Sequence, residues 1–206
     1  NYECYKGLYS SFNSMNMFEI VHSLLRQFGP ENWTLYRGKH LLSFVDNHDV
    51  NRISSTLTDE RKLPLVFGLL MAVPGIPCIY YGSEWGIKGE KIQGVTDAPL
   101  RPELDAPAPN DLSDLVSKYT HIRRGHKALT LGDYKDLVLT NKQYVLERNY
   151  EGEKIVVALN IDDAPYTIYP PIDHGSYQDL MSGEMVDYNG QLELPPLSIT
   201  YLYKHA

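Results

Sequence analysis

The stretch Phe44-Val45-Asp46-Asn47-His48-Asp49-Val50-Asn51-Arg52 decides the fold. Its first two residues end an apolar run, Leu41, Leu42, Phe44 and Val45, that reads as a short strand over Lys39 to Val45. A nearly continuous apolar run suits a parallel strand covered on both faces. Six polar residues then follow it at once: Asp46, Asn47, His48, Asp49, Asn51 and Arg52. In a parallel α/β barrel the C-terminal ends of the strands face the active site, so polar groups there need a reason. One reason is purely local, because Asp46, Asn47 and Asp49 are also ordinary turn and cap residues.

Working outward, Met17, Ile20, Val21, Leu24, Leu25 and Phe28 recur at three- and four-residue steps and predict a helix over Met15 to Phe28. Ser14 serves as its N-cap and Gly29-Pro30 as its stop. Beyond the central stretch a second helix is expected to start at Thr58, with Asp59 and Glu60 in its first turn, and to run through Met71. Gly75 to Tyr81 reads as another apolar strand, followed by a Gly- and Pro-rich loop over Gly82 to Pro109. Asp111 caps a third helix striped by Leu112, Leu115, Val116, Tyr119 and Ile122 and ended by Gly125.

From Gly132 the period changes to two. Strands are expected at Tyr144–Arg148, Ile155–Asn160, Tyr166–Tyr169, Leu192–Leu194 and Ile199–Tyr203, with Asn189-Gly190 as a hairpin turn. The expected fold class is therefore α/β: residues 1–130 form a piece of an α/β barrel, and residues 131–206 an all-β antiparallel sandwich.

Composition excludes several function classes. The 206 residues are 43% hydrophobic and 22% charged, an ordinary globular balance. Residues 1–125 carry a net charge of −1 and residues 126–206 one of −6, so there is no basic patch of the kind that nucleic acid or an anionic membrane requires. No nucleic-acid or membrane partner is expected; a neutral ligand fits better. Cys4 and Cys78 stand 74 positions apart, neither a disulfide framework nor a zinc spacing, and read as free thiols. The first residue is Asn1, so the chain reads as a piece or a mature product, and localisation stays open.

Phe44 to Asp49 resembles the fourth motif of the alpha-amylase family of glycoside hydrolases, an aromatic residue followed three positions later by Asn-His-Asp at the end of barrel strand seven. The resemblance extends through Gly75-Ile76-Pro77-Cys78-Ile79-Tyr80-Tyr81-Gly82-Ser83-Glu84, similar to the family's eighth strand, and Arg101-Pro102 in the loop after it. It continues into Ile122-Arg123-Arg124 and Asp179-Leu180-Met181-Ser182-Gly183-Glu184. It implies the C-terminal segment of a (β/α)8 barrel, strands seven and eight with flanking helices, then a C-terminal sandwich. It also implies a parent enzyme acting on α-linked glucans such as starch and maltooligosaccharides with retention. Asp49 is then the third catalytic carboxylate, and His48 and Asn47 bind the cleaved sugar.

The chemistry suits these residue types. Retaining glycosidases pass through an oxocarbenium-like transition state, using one carboxylate as nucleophile and another as acid then base. A third carboxylate can accept hydrogen bonds from the ring hydroxyls, and an imidazole N–H can donate to them. Arg52 reads either as a carboxylate partner or sugar contact, or as a solvated loop cation. Trp85 is a candidate substrate contact, Tyr2 and Tyr81 are weaker ones, and Trp33 reads as packing.

The resemblance places the nucleophile and the acid upstream of Asn1, with Asn1-Tyr2 as the end of strand six, so the chain alone is expected to be inactive and to self-associate through open strand edges. Glu3, Glu19 and Glu31 do not match the acid's motif. No cofactor is assigned; calcium in the parent is not assignable from these residues. The competing readings are a non-catalytic carbohydrate-binding or structural module and, more remotely, a metal site of Asp46, His48 and Asp49.

Overall fold

The computed structural model describes residues 1–204. The chain opens with a helix where a strand end was expected: α1 (Tyr2–Ser14), whose N-cap Asn1 accepts from the Cys4 amide at 3.1 Å. Met15 then turns left-handed (φ 54°), and α2 (Phe18–Phe28) begins without a side-chain cap. Ser14 is thus no N-cap; its hydroxyl turns back to the Ser10 carbonyl at 2.7 Å, closing the helix before it. The apolar stripe of α2 does hold, with Ile20, Val21, Leu24 and Phe28 buried in one core with Cys4, Leu8 and Phe12 of α1. Both cysteines are free thiols, and burial pushes that of Cys4 up to about 12.

Strands β1 (Leu42–Phe44) and β2 (Ile76–Cys78) pair in parallel, Leu42 opposite Ile76 and Phe44 opposite Cys78. Both are shorter than expected, because among the described residues the ladder has no third strand to extend it and Pro77 donates no hydrogen bond. Between them lie the short α3 (Ile53–Thr56), a 3₁₀ turn over Glu60–Lys62 capped by Asp59, and α4 (Leu63–Ala72). Pro64 sits in the first turn of α4, where a missing N–H removes no intrahelical bond. All residues of α4 except Pro64 are buried, so it is a central helix rather than an amphipathic one.

Gly75 (φ +105°) makes the turn into β2; a β-carbon there would meet the Leu41 carbonyl at 2.5 Å. After the loop, α5 (Asp111–Gly125) is capped by Asn110, not Asp111. The Asn110 side chain accepts from the Ser113 amide while the Ser113 hydroxyl accepts from the Asn110 amide. Helix α6 (Lys127–Leu131) follows.

The rest is antiparallel: β3 (Asp133–Leu139), β4 (Gln143–Tyr150), β5 (Glu153–Asn160), β6 (Tyr166–Ile168), β7 (Gly175–Asp179), β8 (Met185–Tyr188), β9 (Leu192–Leu194) and β10 (Ser198–Tyr203). Six strands form one sheet in the order β3-β4-β5-β10-β7-β8, and β6 pairs β9 in a second. Asn189-Gly190 is no hairpin turn, since β8 pairs β7 and β9 pairs β6; the chain changes sheets there.

The two-residue period divides the interior. Ile155, Val157 and Leu159 of β5, with Ile199 and Tyr201 of β10, join the core that contains α1, α2 and α4. Val156 and Ala158, with Leu202, face the second core that Ile168, Leu192 and Leu194 complete. Gly68 of α4 lets β10 approach, for a β-carbon would lie 3.0 Å from Ile199, and its carbonyl accepts the Tyr201 hydroxyl.

Candidate active site

The polar stretch after β1 divides by depth. Asp46 is 1% exposed, while the His48 and Asp49 side chains are 57% and 50% exposed. Asn47 shapes the turn: its Oδ1 accepts from the Asp49 amide at 2.8 Å. This is the local turn role the sequence allowed, and it leaves the Asp49 carboxylate pointing outward. His48 Nε2 lies 3.4 Å from Asp49 Oδ2. The structure therefore brings Asn47, His48 and Asp49 together on one exposed turn at the C-terminal end of β1.

Two further side chains close on that carboxylate. The Tyr2 hydroxyl donates to Asp49 Oδ2 at 3.4 Å and accepts from Asn47 Nδ2 at 3.2 Å. Its ring stands edge-on to Phe44, with centroids 5.1 Å apart, so an exposed tyrosine is propped by a buried one-ring neighbour. Arg101 NH2 reaches within 3.7 Å of Asp49 Oδ1 and is held by Asp97, 2.6 Å from its NH1. That pairing raises the Arg101 pKa, chiefly through the hydrogen bond to Asp97. Sequence reasoning used Arg101 only as part of a resemblance, and gave no role to Asp97. Both stand in an irregular loop where no periodicity marks a side chain as facing the site. Tyr80, 6.3 Å from the His48 ring, and Tyr81, whose hydroxyl donates to the Pro102 carbonyl at 2.8 Å, complete the wall.

Arg52 is 0% exposed, which excludes the solvated cation. It folds inward, NH1 donating to Ser83 Oγ at 3.0 Å, with its carbon 4.2 Å from the Tyr80 ring centroid. Trp85 is half-buried in the 3₁₀ turn Ser83–Trp85, and its carbonyl accepts from Asn110 Nδ2 at 3.0 Å. Trp33 is 61% exposed, so the packing reading does not hold for it. Among the tyrosines after residue 132, Tyr134, Tyr144, Tyr177, Tyr188 and Tyr201 are core residues, whereas Tyr166 and Tyr169 are exposed. Among the described residues no three His, Cys, Asp or Glu side chains converge as metal ligands; Asp46 turns inward from His48 and Asp49.

Residues 9–130 match the alpha amylase catalytic domain family, and the chain belongs to that family. It is 28% identical over 147 residues to the cyclomaltodextrin glucanotransferase of Geobacillus stearothermophilus, covering 69% of this chain and 20% of that protein. It is 26% identical over 149 residues to an alpha-amylase of Niallia circulans, covering 70% of this chain and 27% of the relative. The chain thus spans about a fifth to a quarter of these curated relatives. Among solved structures, an alpha-amylase from Geobacillus thermoleovorans superposes with a TM-score of 0.84 at 22% identity, over 99% of this chain and 47% of that one. This last likeness shows the shared fold.

Proposed function

We propose that the chain is the C-terminal part of a retaining glycosidase or transglycosidase acting on α-linked glucans. In this reading β1 and β2 are strands seven and eight of a (β/α)8 barrel, and residues 131–206 form its sandwich domain. Asp49 is the carboxylate that holds the ring hydroxyls of the distorted sugar, and His48 and Asn47 flank it. The observation that carries the reading is a half-exposed carboxylate, oriented by its own turn, at the C-terminal end of a parallel strand in a member of this family. The relatives include both a glucanotransferase and an amylase, and the G. thermoleovorans enzyme was solved with acarbose, which makes α-glucans the substrates to test first. Trp85 is kept as a candidate substrate contact.

Retention needs two more carboxyl groups, roughly 5 Å apart. Neither of Asp49's acidic neighbours is free to serve: Asp46 is buried and engaged, and Asp97 is held by Arg101. We place the nucleophile and the acid outside these 206 residues. The purified 206-residue chain is accordingly expected to show no turnover of starch or an activated maltooligosaccharide, while the full-length protein that contains it cleaves or transfers with retention. Retaining turnover by the short chain, or none by the full-length protein, would refute the reading.

The same incompleteness predicts self-association. Leu42 and Ile76 are 53% and 52% exposed on a sheet whose two strands, among the described residues, have only each other as ladder partners. Open edges of this kind recruit further strands. Light scattering of the 206-residue chain at micromolar concentration is expected to report a dimer or larger species; a compact monomer would count against open barrel edges.

A further inference from the structure

Beneath the exposed turn lies a buried polar chain that the proposed chemistry does not use. Arg52 and Ser83 are 0% exposed and Asp46 is 1%. Arg52 NH1 donates to Ser83 Oγ at 3.0 Å, and Ser83 Oγ donates to Asp46 Oδ1 at 2.6 Å. The other carboxylate oxygen, Oδ2, accepts from the Ile53 amide at 2.9 Å. The polarity of this chain is fixed by chemistry. A guanidinium only donates and an ionised carboxylate only accepts, so the hydroxyl between them must accept from Arg52 and give its one proton to Asp46.

The geometry of the chain is that of a clamp. Asp46 immediately precedes the exposed turn, and Ile53 begins α3 after it, so one carboxylate ties both ends of the segment bearing Asn47, His48 and Asp49. Ser83, at the start of the 3₁₀ turn after β2, then anchors that carboxylate to the neighbouring strand. Arg52 also lies over the rings of Tyr80 and Tyr81, 4.2 and 5.1 Å from their centroids, so the guanidinium is held on a second side. Burial pushes the Asp46 carboxyl above its ordinary range, opposed by the bonds from Ser83 and Ile53 and by the Arg52 charge.

Stability alone does not account for this arrangement. Among the described residues Arg52 Nε and NH2 are buried without a protein hydrogen-bond partner. Unmet buried donors cost free energy, and a buried charge cluster is often no more stable than apolar residues of the same volume. A clamp that fixes a functional turn gives the cluster a reason.

We propose that Arg52 and Ser83 are positioning residues that act through Asp46 to hold the Asn47–Asp49 turn, and thereby aim the Asp49 carboxylate at the substrate. The proposal rests on the reading of Asp49 as a sugar contact, and its test separates the two. In the 206-residue chain, amide hydrogen exchange reads the turn directly. Ser83→Ala is expected to speed exchange at Ile53 and Asp49 about 10-fold, the scale of one lost hydrogen bond, with Leu70 in α4 unchanged. No change at Ile53 and Asp49, or an equal rise at Leu70, would overturn the clamp.

Arg52→Lys, which keeps the charge and a donor for Ser83, is expected to retain most of the protection that Arg52→Met loses. Equal behaviour of the two would reduce Arg52 to packing and overturn its role. In the full-length protein Ser83→Ala is expected to lower kcat on a maltooligosaccharide about 10-fold with KM little moved, and to add little to Asp49→Asn, as sites acting through one another do. Full additivity of the two substitutions would overturn the link to Asp49. A wild-type protein inactive on α-glucans would instead sink the functional reading and leave the exchange result to decide the clamp.

Discussion

Asp49→Asn in the full-length protein is expected to lower kcat on a maltooligosaccharide by about 10² or more, the effect of losing one preorganised transition-state contact worth about 3 kcal/mol. The substitution is nearly isosteric. The carboxamide can still accept from Tyr2, 3.4 Å away, so the turn has no reason to collapse. What disappears is the charge. An ionised carboxylate offers only acceptor sites to two ring hydroxyls, and those bonds strengthen as the sugar gains positive charge. An amide turns one of its two positions into a donor, so one ring hydroxyl loses the charged acceptor it would donate to. The loss therefore falls on kcat, the signature of an interaction realised in the transition state. His48→Ala, by contrast, removes a group 57% exposed beside the carboxylate and is expected to raise KM as well as lower kcat. If Asp49→Asn left kcat within a few-fold of wild type, the turn would not be the catalytic one.

The sequence made this turn legible because two signals coincide: an apolar run that must be a covered strand, and an abrupt switch to polar residues at its end. It could not sort those residues by depth. Asp46 and Asp49 are the same residue type three positions apart, yet one is sealed under Ser83 and the other is half in solvent. Only the long-range pairing of β1 with β2, which brings Ser83 under the turn, makes the difference. The alternatives for Arg52, carboxylate partner, sugar contact or solvated cation, stayed open for the same reason. The residue before α3 looks like loop, and nothing local says that residues 80–83 will cover it.

Elsewhere the strong periodic segments, α2, α5, β5 and β10, were readable, and the missed ones share a physical cause. β7 has one apolar residue, Tyr177, β3 shifts register between Asp136 and Val138, and β8 is only four residues long, so none of them shows a sustained two-residue period. β3 and β8 are the sheet's edge strands and β7 lies next to one, so little apolar face is needed. Helix α1 was hidden by its small and polar residues. It is held instead by Cys4, Leu8 and Phe12, buried at four-residue spacing.

The second large effect is expected far from the turn, where the end of α4 is held by two arginines, Arg148 from the antiparallel half and Arg123 from α5, neither of them in an ion pair among the described residues. Arg148 of β4 donates to the carbonyls of Ala72, Leu129, Gly132 and Asp133, at 2.8, 3.0, 2.8 and 3.3 Å. Arg123 of α5 donates to those of Met71, Val73 and Gly75, at 2.6, 3.0 and 2.6 Å. The carbonyls at and just beyond the C-terminus of α4, which lack intrahelical donors and carry the negative end of the helix dipole, are thus capped by two buried cations. Burial pulls Arg148 down to about 9 and Arg123 to about 10, so both remain charged at neutral pH.

Arg148→Met keeps an unbranched apolar stem and removes the guanidinium with its donors and charge. Each carbonyl left unmet costs about 1–3 kcal/mol, and relief of the guanidinium's own desolvation offsets part of the sum. The expected net loss is about 3 kcal/mol, read from the lowered denaturation midpoint of the helical half. The wild-type chain is expected to unfold in one transition, because a single core runs from Leu8 through Phe67 to Tyr144 and Tyr201. In Arg148→Met the helical half is expected to melt first, splitting that transition in two. A loss below about 1 kcal/mol with one transition retained would show that packing, not the arginine cap, holds the halves together.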